Sequence, residues 1–306
     1  MKQHLPNKNP PTPPLKKGGK GGFIFLFLFL LTATQEAQAY ERIISFRPNI
    51  TEILFGLGLG PKVVGVTQFC HYPPEAEKIE KIGGYFNRSL EKILSLKPDL
   101  VVLVPDGTTS KTESALRRSG IEVLVVHAES IDDVYASIHA IASKTGIPQK
   151  GEALVLSLTK KIKEQSDRIA TLPSKKVLVV VQRRPLIVAG QGTFLDDLLK
   201  WAHAENTAGS SKLPYPHYSM ESAMSRRPDV ILDIDSSESE NFWERYPSIP
   251  AVSHNTVYRL PPDIFVPGTR LPEALALLIQ KIHPSTSSGC PLFCKNKIGH
   301  GEPVEP

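Results

Sequence analysis

One short segment of this chain occurs twice, more than a hundred residues apart. S-L-E-K-I-L-S-L-K-P-D-L-V-V begins at Ser89, and S-M-E-S-A-M-S-R-R-P-D-V-I-L begins at Ser219, with Ser, Glu, Ser, Pro and Asp in register. Each copy is typical of a Ser-capped helix that is followed by Pro-Asp and a β-branched strand. Because a solenoid repeats at much shorter intervals, the segment predicts two related α/β lobes. Each lobe would expose one carboxylate in a first helical turn, Glu91 and Glu221.

The charge of the chain is concentrated in its leader. With 306 residues and 41% hydrophobic content, the chain is long enough to bury two cores, and its pI is about 9.0. Five of the 36 basic residues and one of the 31 acidic residues precede Tyr40, which leaves 31 against 30 for the rest. The remaining chain is nearly neutral, so we do not expect nucleic acid as a partner.

The leader, residues 1–39, has the pattern of a secretory signal peptide. A Lys/Pro/Gly-rich stretch precedes the apolar run from Phe23 to Leu31, and A-Q-A then ends at Ala39. The apolar run is about half of the ~20 residues that span a bilayer. An uncleaved membrane anchor is the alternative interpretation of the leader. No cysteine follows the run, which disfavours a lipid-anchored protein. We expect export to the periplasm.

The three cysteines do not form a disulfide framework. Cys70 stands alone, whereas Cys290 and Cys294 lie in a tail, residues 285–306, that is rich in turn formers and lacks hydrophobic periodicity. The two tail cysteines could pair with each other in an oxidising compartment. With only His300 nearby, they do not complete a structural zinc site. The tail is predicted to be disordered and outside the fold.

Strands and helices alternate along the chain, which favours mainly parallel sheets covered by helices on both faces. The boundaries predict an N-terminal lobe over 40–148, a linker helix over 149–171 and a C-terminal lobe over 172–284. The linker helix would span on the order of 30 Å and act as a stiff strut; an ordinary helix within one lobe is the alternative. The predicted strands are 42–46, 63–66, 100–104, 122–126, 176–181, 230–233 and 257–260, and a helix is predicted over Ser239–Arg245.

Catalytic signatures are scarce in this sequence. It contains no nucleophile elbow, no H-E-x-x-H and no C-x-x-C. The G-L-G-L-G run at 56–60 follows a predicted helix rather than a strand, so it marks a helix end and not a nucleotide loop. His71 and His217 are isolated loop histidines, and two such residues do not make a metal site. We therefore do not expect an enzyme, and we expect no resident cofactor or metal.

Aromatic residues gather in loops that follow strands or precede a Ser-capped helix. The carboxyl edge of an open α/β sheet is where ligands collect, so rings from both lobes would line a broad cleft. Such a cleft suits a flat, partly apolar ligand, although any single ring could instead complete a core. The residues are Phe69, Tyr72, Tyr85, Phe86, Tyr215, Tyr218 and Phe265.

Four blocks of the chain form a recognisable set: R-I-I-S-F-R-P-N-I-T-E-I-L-F-G-L-G-L, V-G-V-T-Q-F-C-H-Y-P-P-E-A, N-R-S-L-E-K-I-L-S-L-K-P-D-L-V-V and P-G-T-R-L-P-E-A-L. Together they resemble the periplasmic substrate-binding proteins of ABC importers for iron complexes and vitamin B12. The resemblance covers about 41–283, and its first-lobe blocks are most similar to the cobalamin-binding branch. It implies the helical-backbone periplasmic binding protein fold: two Rossmann-like α/β lobes with mainly parallel sheets, joined by a single long helix.

The resemblance also implies residue roles. Glu91 and Glu221 match the two glutamates that dock on arginines of the permease, and a carboxylate in a first helical turn suits that task. Phe69, Tyr85 and Tyr215 match aromatic ligand contacts, and Asp263 matches an acidic contact. The aromatic pattern adds Tyr72 and Phe265. Two family contacts are missing: a tryptophan is replaced near Val104-Pro105, and a basic contact falls at Pro267, with Arg270 as a substitute.

These observations predict a monomeric receptor that captures a cobalt corrinoid and delivers it to an ABC importer, a permease dimer with its ATPase. A haem or ferric-siderophore receptor of the same class is the alternative, for which Arg47, Arg183 and Arg184 could supply cations. An enzyme on the same bilobed scaffold and an adhesion or scaffold module are the rivals from other classes.

Overall fold

This computed structural model describes residues 40–106, 109–237 and 241–284. The predicted signal peptide, residues 1–39, and the predicted tail with Cys290 and Cys294 lie outside the described residues. Within the described part of the chain, no helix combines the length and the apolar character that a membrane span requires.

The N-terminal lobe contains a parallel four-stranded sheet. Its strands are β1 (Ile43–Ser45), β2 (Val63–Val66), β3 (Leu100–Leu103) and β4 (Glu122–Val125), in the order β2-β1-β3-β4. Residues of alternating parity enter two different cores: Leu100 and Val102 face one, and Val101 and Leu103 face the other. Burial on both faces explains why β3 is apolar without interruption.

A helix follows each of these strands, and one further helix leads to the C-terminal lobe. These helices are α1 (Pro48–Gly56), α2 (Leu90–Ser95), α3 (Thr109–Arg118), α4 (Ile131–Lys144) and α5 (Pro148–Asp167). Helix α1 ends at Gly56, and Gly58 follows in the left-handed region with a φ of 77°. The prediction that the glycine run ends a helix is thus confirmed, since only glycine adopts that φ without strain.

The C-terminal lobe repeats the plan with additions. Strand β5 (Lys175–Arg183) is central, flanked by the hairpin partner β6 (Leu186–Val188), by β7 (Ala204–Asn206) at its beginning, and by β8 (Val230–Asp233) and then β9 (Val257–Arg259). Only β6 is antiparallel to its neighbour. The sequence did not predict β6 or β7, which are short strands defined by their pairing with β5.

The helices of this lobe are α6 (Phe194–Trp201), α7 (Met220–Arg226), α8 (Pro250–Ser253) and α9 (Leu271–Ile282). The helix predicted over Ser239–Arg245 is wrong in its described part. A single 3₁₀ turn covers Trp243–Arg245, and residues 238–240 lie outside the described residues. Trp243 is buried in the core beside Phe242, and this burial holds the segment against the sheet instead of in a regular helix.

Helix α5 joins the two lobes, as predicted. It has 20 residues, about 30 Å at the usual rise per residue, and it packs against α4 on one side and against α6 and α9 on the other. Gln165 donates a hydrogen bond to the Pro272 carbonyl at 3.0 Å, which ties it to α9. The helix ends at Asp167 rather than at 171. A continuous apolar core runs from Ile53 and Ile138 through Leu158 to Leu198 and Leu275, so the lobes are packed firmly along this helix.

The repeated segment has the same local structure in both lobes. The Ser89 hydroxyl accepts a hydrogen bond from the Lys92 amide at 3.1 Å, and the Ser219 hydroxyl accepts one from the Ser222 amide at 3.0 Å. Both serines are therefore helix N-caps, as the repeat predicts. The two-lobed α/β prediction is confirmed.

Candidate functional site

The predicted ligand contacts of the N-terminal lobe lie in the loops that follow its parallel strands. Phe69 and Tyr72 follow β2, and Tyr85 lies between β2 and α2. In a parallel α/β sheet, loops after the strands and helix N-termini share one edge, where ligands bind. We call this part of the molecule the aromatic edge.

Two of the predicted residues form a stacked pair. The ring centroids of Phe69 and Tyr85 are 4.4 Å apart with an interplanar angle of 29°. The loop that carries Tyr85 is fixed by the Gly84 amide, which donates to the Asn87 side-chain oxygen at 3.0 Å. Phe69 is 40% exposed. Tyr85 is partly buried, and this burial raises the pKa of its hydroxyl group. Phe69 is therefore the exposed ring of the pair, and Tyr85 supports it from behind.

Arg47 lies over this pair. Its guanidinium carbon is 4.7 Å from the Tyr85 ring centroid, and its Nη2 is 3.1 Å from Asp106 Oδ2. Arg88 also reaches that carboxylate, at 2.9 Å, so two arginines share one aspartate beside the rings. The Arg47 side chain is 27% exposed, while that of Arg88 is buried. The local charge is therefore net positive, and Arg47 is the cation that remains accessible.

Tyr72 and Asp263 are brought together from different lobes by Arg270. The Arg270 guanidinium carbon is 4.1 Å from the Tyr72 ring centroid, and the side chain donates to the Asp263 carbonyl oxygen. Its Nη1 is 3.8 Å from the exposed Asp263 carboxylate. Tyr72 itself is 44% exposed. Two predicted ligand contacts thus share one internal partner.

Arg270 also binds a buried carboxylate. Its Nε and Nη2 donate to Glu52 Oε1 at 3.0 and 2.7 Å. Burial raises the pKa of Glu52, and the bonds from Arg270 oppose that rise. Since the Arg270 side chain is only 14% exposed and occupied by three groups, it does not serve as the substitute basic ligand contact that the resemblance suggested.

The remaining predicted aromatic contacts differ in exposure. Tyr215 is 46% exposed; partial burial and then the charge of Glu129, in the N-terminal lobe, raise its pKa. Phe265 is buried and packs into the shared core, so the prediction that its ring faces a ligand does not match its position. Tyr218 is a partly buried core ring whose hydroxyl donates to the Thr207 carbonyl at 3.2 Å. Phe86 is highly exposed.

Arg183, a cation proposed for an anionic ligand, is used inside the C-terminal lobe. Its Nε donates to Asp233 Oδ2 at 2.8 Å, and the Trp243 indole N–H donates to the same oxygen at 2.7 Å. Both members of the ion pair are buried. The suggestion that Arg183 meets a ligand is therefore wrong. Arg184 is exposed and lies 5.9 Å from the Phe242 ring centroid.

Glu91 and Glu221 are both exposed in the first turns of α2 and α7. Each helix starts at the carboxyl edge of its sheet, so each carboxylate lies at that edge of its lobe. Leu90 and Leu94 beside Glu91 are also exposed. Docking of these glutamates on a permease stays a prediction.

A cavity of about 560 Å³ lies elsewhere, on the C-terminal lobe. It is lined by polar side chains near the beginning of β5, including Lys176, Glu205 and Arg226. None of the predicted ligand contacts lines it. In the described ranges, no three His, Cys, Asp or Glu side chains could together hold a metal ion. His71 pairs with Glu77 at 3.0 Å on the surface.

Sequence reasoning did not identify Glu52, Arg88 or Asp106 as part of the site. Glu52 ends the block R-P-N-I-T-E, and Arg270 ends P-G-T-R; both blocks carried the family resemblance. That signal pointed to the segments without giving the partners, because the two residues are 218 positions apart.

Comparison with known proteins gives consistent matches over most of the chain. A family model described as "Periplasmic binding protein" matches residues 43–264. The substrate-binding lipoprotein YvrC of an ABC transporter from Bacillus subtilis is 35% identical over 257 residues, which is 80% of this chain and 81% of that protein.

A vitamin B12-binding protein from Salmonella typhimurium is 29% identical over 260 residues, which is 83% of this chain and 97% of that protein. Among solved structures, the periplasmic heme-binding protein RhuT from Roseiflexus has a TM-score of 0.72 at 29% identity. That match covers 80% of this chain and 98% of the other.

Proposed function

Because this chain belongs to the periplasmic binding protein family, we propose that it captures a corrinoid outside the cytoplasm and hands it to an ABC importer. Proteins named as vitamin B12-binding are similar to it over more than three quarters of its length. The carrier role needs no chemistry at the site, only binding and release. The predicted signal peptide would take the chain to the compartment where such receptors act.

The observation that carries the proposal is the stacked Phe69–Tyr85 pair. The macrocycle of a corrinoid is broad and partly apolar, and it is stabilised by packing against aromatic side chains. Phe69 and Tyr85 supply such side chains in the N-terminal lobe, and the exposed ring of Tyr215 faces solvent from the other lobe. Tyr72 and Asp263 add a polar border at a fixed position.

Delivery would use the exposed glutamates. Glu91 and Glu221 each stand in a first helical turn, where the helix dipole stabilises a carboxylate that is still free to accept a bidentate arginine. One acceptor per lobe suits a permease made of two equivalent halves.

Haem is the second candidate, and Arg47 is the observation that favours it. The excess positive charge of Arg47 and Arg88 over Asp106 lies directly beside the stacked rings. A flat ring with carboxylate arms would place the ring on the exposed Phe69 side chain and one arm near Arg47. RhuT, which has the same 29% identity to this chain as the vitamin B12-binding protein of Salmonella typhimurium, is named as heme-binding. Ferric siderophores with anionic groups would use the same cation.

Calorimetric titration of the purified protein with cyanocobalamin, haemin and a ferric siderophore tests the proposal. We expect one-to-one binding of cyanocobalamin tighter than micromolar and weaker binding of the other two. The Tyr85→Leu variant should lose affinity, while Tyr258→Leu, which removes a ring near Lys281 and away from the aromatic edge, should keep it. Tight haemin binding with no cyanocobalamin binding would establish the second candidate. Binding of none of the three would refute both.

A further inference from the structure

Arg270 contacts both lobes with one side chain. Its guanidinium binds Glu52 on α1, lies over Tyr72 in the loop after β2, and donates to the Asp263 carbonyl oxygen within the C-terminal lobe. Glu52 and Tyr72 belong to the N-terminal lobe, whereas Arg270 immediately precedes α9 of the C-terminal lobe. We call these four residues, Glu52, Tyr72, Asp263 and Arg270, the Arg270 clamp.

The backbones at the Arg270 clamp approach each other closely. A Cβ atom at Gly268 would lie 2.7 Å from Glu52 Oε2, and one at Gly56 would lie 3.0 Å from the Thr269 methyl group. The segment before α9 is therefore seated directly on α1, and glycine is needed at 268 because the Glu52 carboxylate occupies the space of a side chain. At Gly56 this contact adjoins the apolar packing along α5, because the same Cβ position would lie 3.3 Å from the Leu154 side chain.

The ion pair between Glu52 and Arg270 is largely buried and therefore costly to break. Glu52 is 1% exposed, and removing one partner leaves the other charge buried without compensation. The two Arg270 donors that meet Glu52 fix the plane of the guanidinium, and that plane covers the Tyr72 ring. The ion pair at the edge of the guanidinium thus fixes the plane against which the Tyr72 ring lies.

We propose that Arg270 is a positioning residue, which holds the two lobes at a fixed separation and orients the exposed Tyr72 ring toward the ligand. The ligand-related half of this inference rests on the proposed function; the lobe-holding half does not. A lysine at 270 could pair with Glu52, but it has no planar group to cover the ring, so both tasks together require arginine.

Hydrogen exchange followed by mass spectrometry tests the lobe-holding half without any ligand. Arg270→Met should speed amide exchange in the loop 67–72 and in α1, on the lobe opposite to the substitution. The matched control is Arg168→Met, which removes an exposed arginine at the end of α5. Arg270→Lys should restore protection of α1 but not of the loop 67–72. Unchanged exchange in both segments of Arg270→Met would overturn the clamp.

A double-mutant cycle tests the orienting half, with cyanocobalamin and haemin as probes. Arg270→Met should weaken binding of the preferred probe by about tenfold, as expected for loss of a cation–π contact and ring order. In a Tyr72→Leu background the same change should weaken binding by less than about twofold, because the positioned ring is already absent. Equal losses in both backgrounds would show that Arg270 does not act through Tyr72.

The two arms separate failure of the inference from failure of the proposed function. If the unaltered protein binds neither probe while Arg270→Met still loosens both segments, the corrinoid and haem proposals fail and the lobe-holding role stands. Should Arg270→Met fail to fold, Glu52→Gln, which keeps the shape of the carboxylate, replaces it in the exchange experiment. That variant should speed amide exchange in the loop 67–72, because Glu52 acts on Tyr72 through Arg270. Unchanged exchange in that loop would equally overturn the clamp.

Discussion

Each lobe has an arginine near the carboxyl end of its first strand, but the two side chains differ in burial: one is partly exposed and the other is buried. Arg47 follows β1, the first strand of the N-terminal sheet, and Arg183 ends β5, the first strand of the C-terminal sheet. Arg47 remains partly exposed beside a stacked aromatic pair. Arg183 is buried, and its carboxylate partner also accepts the Trp243 indole N–H.

This difference separates recognition from stability. A partly exposed arginine that shares its aspartate with a second arginine keeps charge available for a ligand. A buried, fully hydrogen-bonded pair has no free face, and its value lies in holding β5, β8 and the 3₁₀ turn of Trp243 together. The lobes share one plan, and we infer that the N-terminal edge provides most of the ligand specificity.

The largest expected effect is on stability, in the C-terminal lobe. Arg183→Met leaves the Asp233 carboxylate buried without its cation, which typically costs about 3–5 kcal/mol. Urea unfolding should therefore show a much lower unfolding free energy than for the unaltered protein. Arg47→Met, after the corresponding strand of the N-terminal lobe, should cost about 1 kcal/mol or less because that side chain is partly solvated. Equal losses for the two variants would contradict the comparison.

The next effect is on binding, at the aromatic edge. Tyr85→Leu removes half of the stacked pair and should lower ligand affinity by about tenfold or more, since an aromatic face is lost. Calorimetry with cyanocobalamin and haemin measures it. Tyr258→Leu is the control, and it should change the affinity by less than about twofold. A larger loss in the control than in Tyr85→Leu would place the ligand elsewhere.

A smaller and selective effect is expected from Arg47. Arg47→Met removes a partner for anionic groups that is worth about 1 kcal/mol or less, because the side chain is partly solvated and already paired with Asp106. The variant should therefore lose more affinity for haemin, which carries carboxylate arms, than for cyanocobalamin. Raising the ionic strength should weaken haemin binding to the unaltered protein and have less effect on the variant. Equal losses for both ligands would show that Arg47 acts through Tyr85 alone.

The smallest effect is a pH dependence of stability, again in the C-terminal lobe. His283 is buried against the Ala202 carbonyl, at 3.0 Å, and burial lowers its pKa below the ordinary value of 6.5. The unfolded chain therefore binds a proton that the folded chain does not, so this contribution is complete above pH 6.5 and is lost as the pH falls below it. Urea unfolding at pH 7.5 and 5.5, chosen as about one unit on either side, should show a shallower decline for His283→Gln. An identical decline would exclude His283 as the cause.

The common architecture of the two lobes could be predicted because it depends on interactions between residues that are close in sequence. A Ser cap, a Glu in the first turn and a closing Pro-Asp each act on neighbouring residues. The structure adds a reason for the aspartate: Asp99 accepts from the Arg42 amide at 3.0 Å, and Asp229 accepts from the Lys176 amide at 2.8 Å. Each carboxylate thus fixes the beginning of the adjacent strand, which explains why this residue recurs.

The parts that could not be predicted depend on distant partners. Whether an arginine after a strand is open or buried depends on side chains far along the chain, so Arg183 could not be distinguished from Arg47. The same holds for Glu52 with Arg270, and for Phe265, whose burial follows from the joint packing of both lobes. Short strands such as β6 are likewise defined by their pairing with another strand, here β5.

The most direct test is the absorption spectrum of the protein isolated from its own host, compared with the Phe69→Ala and Tyr85→Leu variants isolated in the same way. The account predicts a bound chromophore, a corrinoid or a haem, at close to one per chain in the unaltered protein and clearly less in both variants. A colourless protein that binds neither compound when supplied, or variants that keep the full chromophore content, would contradict the assignment of the aromatic edge as the ligand site.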